Sequence, residues 1–78
     1  MAKSERKVFE GRVCVYRDSY MRDFLSAEFE SLDGQTHIVW DRAPEKFVDL
    51  IPSAIENYAN FRFTAGPDGK NPRKIELM

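Results

Sequence analysis

The chain has 78 residues, with twelve Lys and Arg against thirteen Asp and Glu, and 42% of it is apolar. That length holds one domain with a thin core, and no apolar run approaches the roughly 20 residues that span a bilayer. A single cysteine, Cys14, excludes an internal disulfide, and one histidine beside it is too few for a standard structural zinc site.

In chain order, residues 1–6 form a charged N-terminal tail without the apolar stretch of a signal peptide. Residues 7–78 are expected to form the single domain. A first strand fits Lys7 to Arg17, where Phe9, Val13 and Val15 share one parity and Glu10 and Arg12 take the other. Gly11 within it predicts a bulge or sharp bend. A second strand fits Met21 to Leu32, with Leu25, Ala27 and Phe29 inward and Phe24, Ser26, Glu28 and Glu30 outward. Asp33-Gly34 then signals a tight hairpin, because glycine accepts the positive φ such a turn needs. A third strand fits Thr36 to Asp41, with Ile38 and Trp40 on the inward parity.

The period changes after Arg42. Pro44 suits a first helical turn, and Phe47, Leu50, Ile51, Ala54, Ile55 and Tyr58 follow helical spacing. Pro52 interrupts that stretch and predicts a kinked or split helix. Period two returns with Phe61 and Phe63, Gly66-Pro67-Asp68-Gly69 reads as a loop, and Ile75 and Leu77 end a short final strand. The expected core is Phe9, Val13, Val15, Leu25, Ala27, Phe29, Ile38, Trp40, Phe47, Ile51, Ile55, Phe61, Phe63, Ile75 and Leu77.

The order β-β-β-α-β-β in so short a chain resembles the OB fold, a five-stranded Greek-key barrel with a helix between its third and fourth strands. The stretches Phe9-Glu10-Gly11-Arg12-Val13 and Phe61-Arg62-Phe63-Thr64-Ala65-Gly66 are similar to barrel strands of such domains. The expected class is therefore mainly β with one interrupted helix, and an SH3-like barrel is the alternative. The resemblance implies nucleic-acid binding on the face of the second and third strands, between the loops at 17–22 and 66–73. Those loops hold Arg17, Arg22, Lys70 and Arg73 for phosphates, with Tyr16 and Tyr20 for stacking and Phe24 as a further stacking surface. Glu28 and Glu30 depart from this pattern, since carboxylates on that face repel a phosphate backbone.

Charge is segregated along the chain. Residues 1–22 carry six basic and three acidic residues, 23–56 carry two and eight, and 57–78 carry four and two. Such asymmetry either supports pairing between strands or steers a partner of opposite sign. Tyr20, Met21 and Phe24 form a mixed aromatic patch with Arg17 and Arg22, the residue types enriched at interface hot spots. The leading expectation is a non-catalytic module that binds a protein partner or a second copy of itself through Arg12, Tyr16, Arg17, Tyr20, Arg22, Phe24, Arg62, Lys70 and Arg73. The alternative is single-stranded nucleic-acid binding with little sequence preference. His37 and Asp41 share a parity, yet no nucleophile motif or phosphate-binding loop accompanies them, and no enzymatic activity is expected. No cofactor, metal or membrane partner is expected, and a reducing cytoplasm suits the lone thiol.

Overall fold

The computed structural model describes residues 6–17, 23–51 and 56–78. They form one five-stranded antiparallel sheet and one short helix: β1 (Lys7–Tyr16), β2 (Ser26–Ser31), β3 (His37–Trp40), α1 (Glu45–Leu50), β4 (Glu56–Ala65) and β5 (Arg73–Leu77). The sheet order is β3-β2-β1-β4-β5. β1 is its central strand, pairing with β4 along its whole length from Lys7↔Ala65 to Tyr16↔Glu56. β3 and β5 are the two edges and do not pair with each other, so the sheet is not closed among the described residues.

Register explains which side chains are inward. Phe9 faces Phe63, Gly11 faces Phe61, Val13 faces both Phe29 and Ala59, and Phe29 faces Ile38. The period of two along each strand therefore gathers one apolar face. Phe63 is its hub, with the rings of Phe9, Phe29, Trp40 and Phe47 all within 5.9 Å of its centroid. Phe47 reaches this cluster from α1 and meets Phe61 edge-on at 4.9 Å. Edge-to-face packing sets the positive rim of one ring against the negative face of another, adding to the area each aromatic buries.

Two contacts curl the sheet so that its edges approach. Trp40 donates its indole N–H to the Gly69 carbonyl at 3.0 Å, joining β3 to the β4–β5 turn. Gly69 has φ +79, and a Cβ there would lie 2.6 Å from Ile38 Cδ1, so the turn backbone sits directly on the β3 side chain. At the start of β2, just beyond the Ala27–Trp40 pair, Ser26 donates its hydroxyl to the Asp41 carbonyl at 2.7 Å. Ser26 is buried, and that bond meets the demand of its hydroxyl.

Several expectations are corrected. Gly11 makes no bulge, since pairing with β4 runs through it without a shift. Its missing side chain instead admits the β2 backbone, because a Cβ would lie 2.7 Å from the Ser31 Cα and closer still to the Glu30 carbonyl. Among the described residues the register shifts between Arg62 and Thr64, opposite Lys74, whose φ is +54. Asp23, Phe24 and Leu25 precede β2 rather than belonging to it, so Phe24 holds no outward strand position. Tyr58 belongs to β4 and not to a helix, because pairing with Cys14 outweighs its helical spacing. Leu77 is 49% exposed rather than core, since β5 is an edge with no strand beyond it.

Pro44 stands just ahead of α1, which ends at Leu50, with Ile51 buried beyond it. The expected break at Pro52 and the core position of Ile55 lie outside the described residues. The rest of the expected core is buried or packed against it: Val13, Val15, Ala27, Phe29, Ile38, Trp40, Phe47, Ile51, Phe61 and Phe63 within, and Phe9, Leu25 and Ile75 at its margin.

Candidate functional site

The outward face of β1, β2 and β3 gathers the polar side chains into a shallow cup of about 390 Å³, lined by Arg12, Cys14, Glu28, Glu30 and His37, with Phe29 also on its wall. Strand pairing builds it. Arg12 sits opposite Glu30, Cys14 opposite Glu28, and Glu30 opposite His37, so each acid of β2 has a neighbour on both sides. Arg12 approaches Glu30 at 3.4 Å and lies over the Tyr58 ring at 5.5 Å. One β1 cation thus bridges an acid on β2 and an aromatic on β4.

Glu28 is the best-held group of the cup. Tyr16 donates its hydroxyl to Glu28 Oε2 at 2.9 Å, and His37 Nε2 lies 3.1 Å from Oε1. A carboxylate only accepts, so this contact selects the imidazole form protonated at Nε2. The Tyr16 hydroxyl, more than His37, holds the Glu28 carboxyl below its ordinary value, against a smaller opposing effect of partial desolvation. His37 therefore pairs across strands with Glu28, a partnership that its parity with Asp41 does not signal.

The face continues over β4. Arg62 donates from Nε to Glu10 at 2.8 Å and lies 3.9 Å from Glu76. Arg12 and Arg62 are thus both engaged with carboxylates of neighbouring strands. The segregation along the chain becomes pairing across the sheet, because β1 lies between β2 and β4, so that its Arg12 meets Glu30 of β2 and its Glu10 meets Arg62 of β4.

The remaining expected site residues do not join this cup. Lys70 and Arg73 lie at the β4–β5 turn, near the Lys7 end of β1, whereas Arg17 follows its other end. Ten residues of strand separate those ends by about 30 Å. Phe24 is half-buried beneath Arg42, whose guanidinium lies 4.5 Å from the ring centroid. Tyr20, Met21 and Arg22 lie outside the described residues.

Cys14, Glu28, Glu30 and His37 line the cup without being among the expected site residues, and two exposed members of the wider face are likewise outside that set. Tyr58 is 61% exposed, and Val39, outward on edge strand β3, is 57% exposed. The alternation of Phe61 and Phe63, carried back along the chain, places Tyr58 outward, but helical spacing from Phe47 competes for it. No group of three or more His, Cys, Asp or Glu able to hold a metal exists among the described residues. No helix among them is long and apolar enough to cross a membrane. No protein-family model matches the chain, and comparison with curated proteins and with solved structures finds no match.

Proposed function

We propose that this chain is a non-catalytic binding module of OB type that holds a protein partner against the outward face of β1, β2 and β3. The order β3-β2-β1-β4-β5, with a helix between β3 and β4, supports the OB reading, as does the approach of the β4–β5 turn to β3. The observation that carries the function is the border between the acidic row Glu28–Glu30 and exposed Val39 on an unpaired edge. A polar rim beside an exposed apolar edge is the anatomy of a protein interface. The pairing of Arg12 and Arg62 with carboxylates weighs against a nucleic-acid groove on this face, since each would have to give up a partner to meet a phosphate.

Co-purification from nuclease-treated lysate tests the reading when Tyr58→Ala with Val39→Ser is run beside the unmodified chain. Both residues are exposed, so the doubly substituted chain keeps its melting temperature. A partner retained after nuclease and lost with the substitutions supports a protein interface here. Loss on nuclease treatment alone assigns the binding to nucleic acid, and equal capture by both chains moves the interface off this face.

A further inference from the structure

The end of the sheet where β1, β3 and β5 begin and β2 and β4 finish differs from the rest of the molecule. Register brings Arg6, Lys7, Lys70, Arg73 and Lys74 to it, with Lys7 opposite Ala65 and Arg73 opposite Thr64. Arg6 reaches across to donate to the carbonyls of Thr64 and Asn71 at 2.9 and 2.7 Å, which ties the β4–β5 turn to the start of β1. All five side chains are exposed, and none forms an ion pair among the described residues. Arg12 and Arg62, by contrast, are both paired.

Of the carboxylates described at this end, Glu10 pairs with Arg62, and Asp33 and Asp68 are held by their own turns. Asp33 accepts from the Ser31 hydroxyl and the Gln35 N–H, and Asp68 accepts from the Lys70 N–H. Beyond the carbonyl bonds of Arg6, these five like charges meet no carboxylate among the described residues to offset their mutual repulsion. The same end carries the two most exposed aliphatic side chains among the described residues, Val8 at 63% and Leu32 at 65%. They flank a broad depression shared with Lys7 and with Glu10 and Asp33, whose carboxylates are engaged by Arg62 and by the Ser31 hydroxyl. The exposed aromatic Tyr58 is three outward positions away along β4, beyond reach for stacking bases against these cations.

From this juxtaposition we propose a second binding surface, which docks on an anionic phospholipid bilayer with Arg6, Lys7, Lys70, Arg73 and Lys74 at the headgroups and Val8 and Leu32 in the interfacial layer. Surface attachment needs no spanning segment, so the lack of a long apolar helix does not bear on it. Cations near a negative membrane each strengthen binding, and aliphatic side chains distinguish a membrane surface from a nucleic-acid backbone, which offers them nothing. The surface is distinct from the Tyr58 and Val39 face, and its fate does not depend on that reading.

Co-sedimentation with phosphatidylcholine vesicles, with and without phosphatidylserine, tests it in low and high salt. Binding is expected only with phosphatidylserine and is lost at 0.5 M salt, where screening length falls to a few ångströms (~4 Å). Lys70→Gln with Arg73→Gln is expected to weaken it about twenty-five-fold, at about five-fold per cation. Val8→Ser with Leu32→Ser is expected to weaken it about ten-fold while keeping the salt dependence. Circular dichroism of each variant establishes that it is folded, and Tyr58→Ala serves as a control that binds normally. No sedimentation with anionic vesicles at low salt overturns the proposal. So does equal binding by the glutamine variant, or binding of these cations to a single-stranded oligonucleotide without any to vesicles.

Discussion

Arg62 and Phe63 are neighbours on β4, and they show how differently the two faces of this sheet are held. Phe63 is wholly buried and touches four other rings, so its contacts exclude water and are not screened by salt. Arg62 makes two ion pairs, but both partners and the arginine itself remain substantially exposed. In solvent the Coulomb gain is small and is offset by holding long side chains still. The inward face therefore sets stability, and the outward face is free to be tuned for recognition.

The sharpest way to break that comparison is to truncate both neighbours. Phe63→Ala is expected to cost about 4 kcal/mol, through lost burial and the cavity left among the rings. Arg62→Ala is expected to cost less than about 1 kcal/mol. Urea unfolding of the two variants checks this, and comparable losses would mean that the surface pairs carry the fold.

Gly11→Ala comes next, at about 3 kcal/mol, because the atoms its Cβ meets belong to the backbone of Glu30 and Ser31 and cannot swing aside. A cost that small surface substitutions typically show would indicate that β2 is able to slide away from β1 there.

The smallest effect belongs to Glu28, whose carboxyl is held below its ordinary value of 4.5 chiefly by the Tyr16 hydroxyl. A carboxyl with a lowered folded-state value adds stability that is fully present above 4.5 and is lost as pH falls through that lowered value. Asp33, lowered chiefly by the Ser31 hydroxyl, acts in the same direction. Tyr16→Phe is therefore expected to lower stability modestly near pH 7 and to make the acid limb shallower, the two chains converging as pH falls and Glu28 is protonated in both. Urea midpoints at pH 7, 4 and 3 measure it, and an unaltered acid limb would detach Glu28 from stability.

Strand parity makes most of the inward face legible in the sequence, since Phe9, Val13, Ala27, Phe29, Ile38, Trp40 and Phe63 repeat with a period that only a pleated strand satisfies. Legibility fails where two periods overlap. Tyr58 fits both the helical spacing that begins at Phe47 and the alternation that ends at Phe63, and pairing with Cys14 across β1 decides between them. It fails also at Leu77, because alternation marks a face and does not say whether anything covers it. The site is less legible than the fold. Arg12, Tyr16 and Arg62 do fall on the outward face, but their partners come from other strands, and no local pattern names a partner between 12 and 52 residues away.

Composition and periodicity alone determined a small, mainly β domain with inward aromatics, an acidic second strand and basic ends, because these are properties of short stretches of chain. Tertiary structure alone decided what the charge means. Placing β1 between β2 and β4 neutralises Arg12 and Arg62 within the sheet, while the convergence of strand ends leaves Arg6, Lys7, Lys70, Arg73 and Lys74 without an acidic partner among the described residues. A total of −1 holds both outcomes, since it records how many charges the chain has and not their separation.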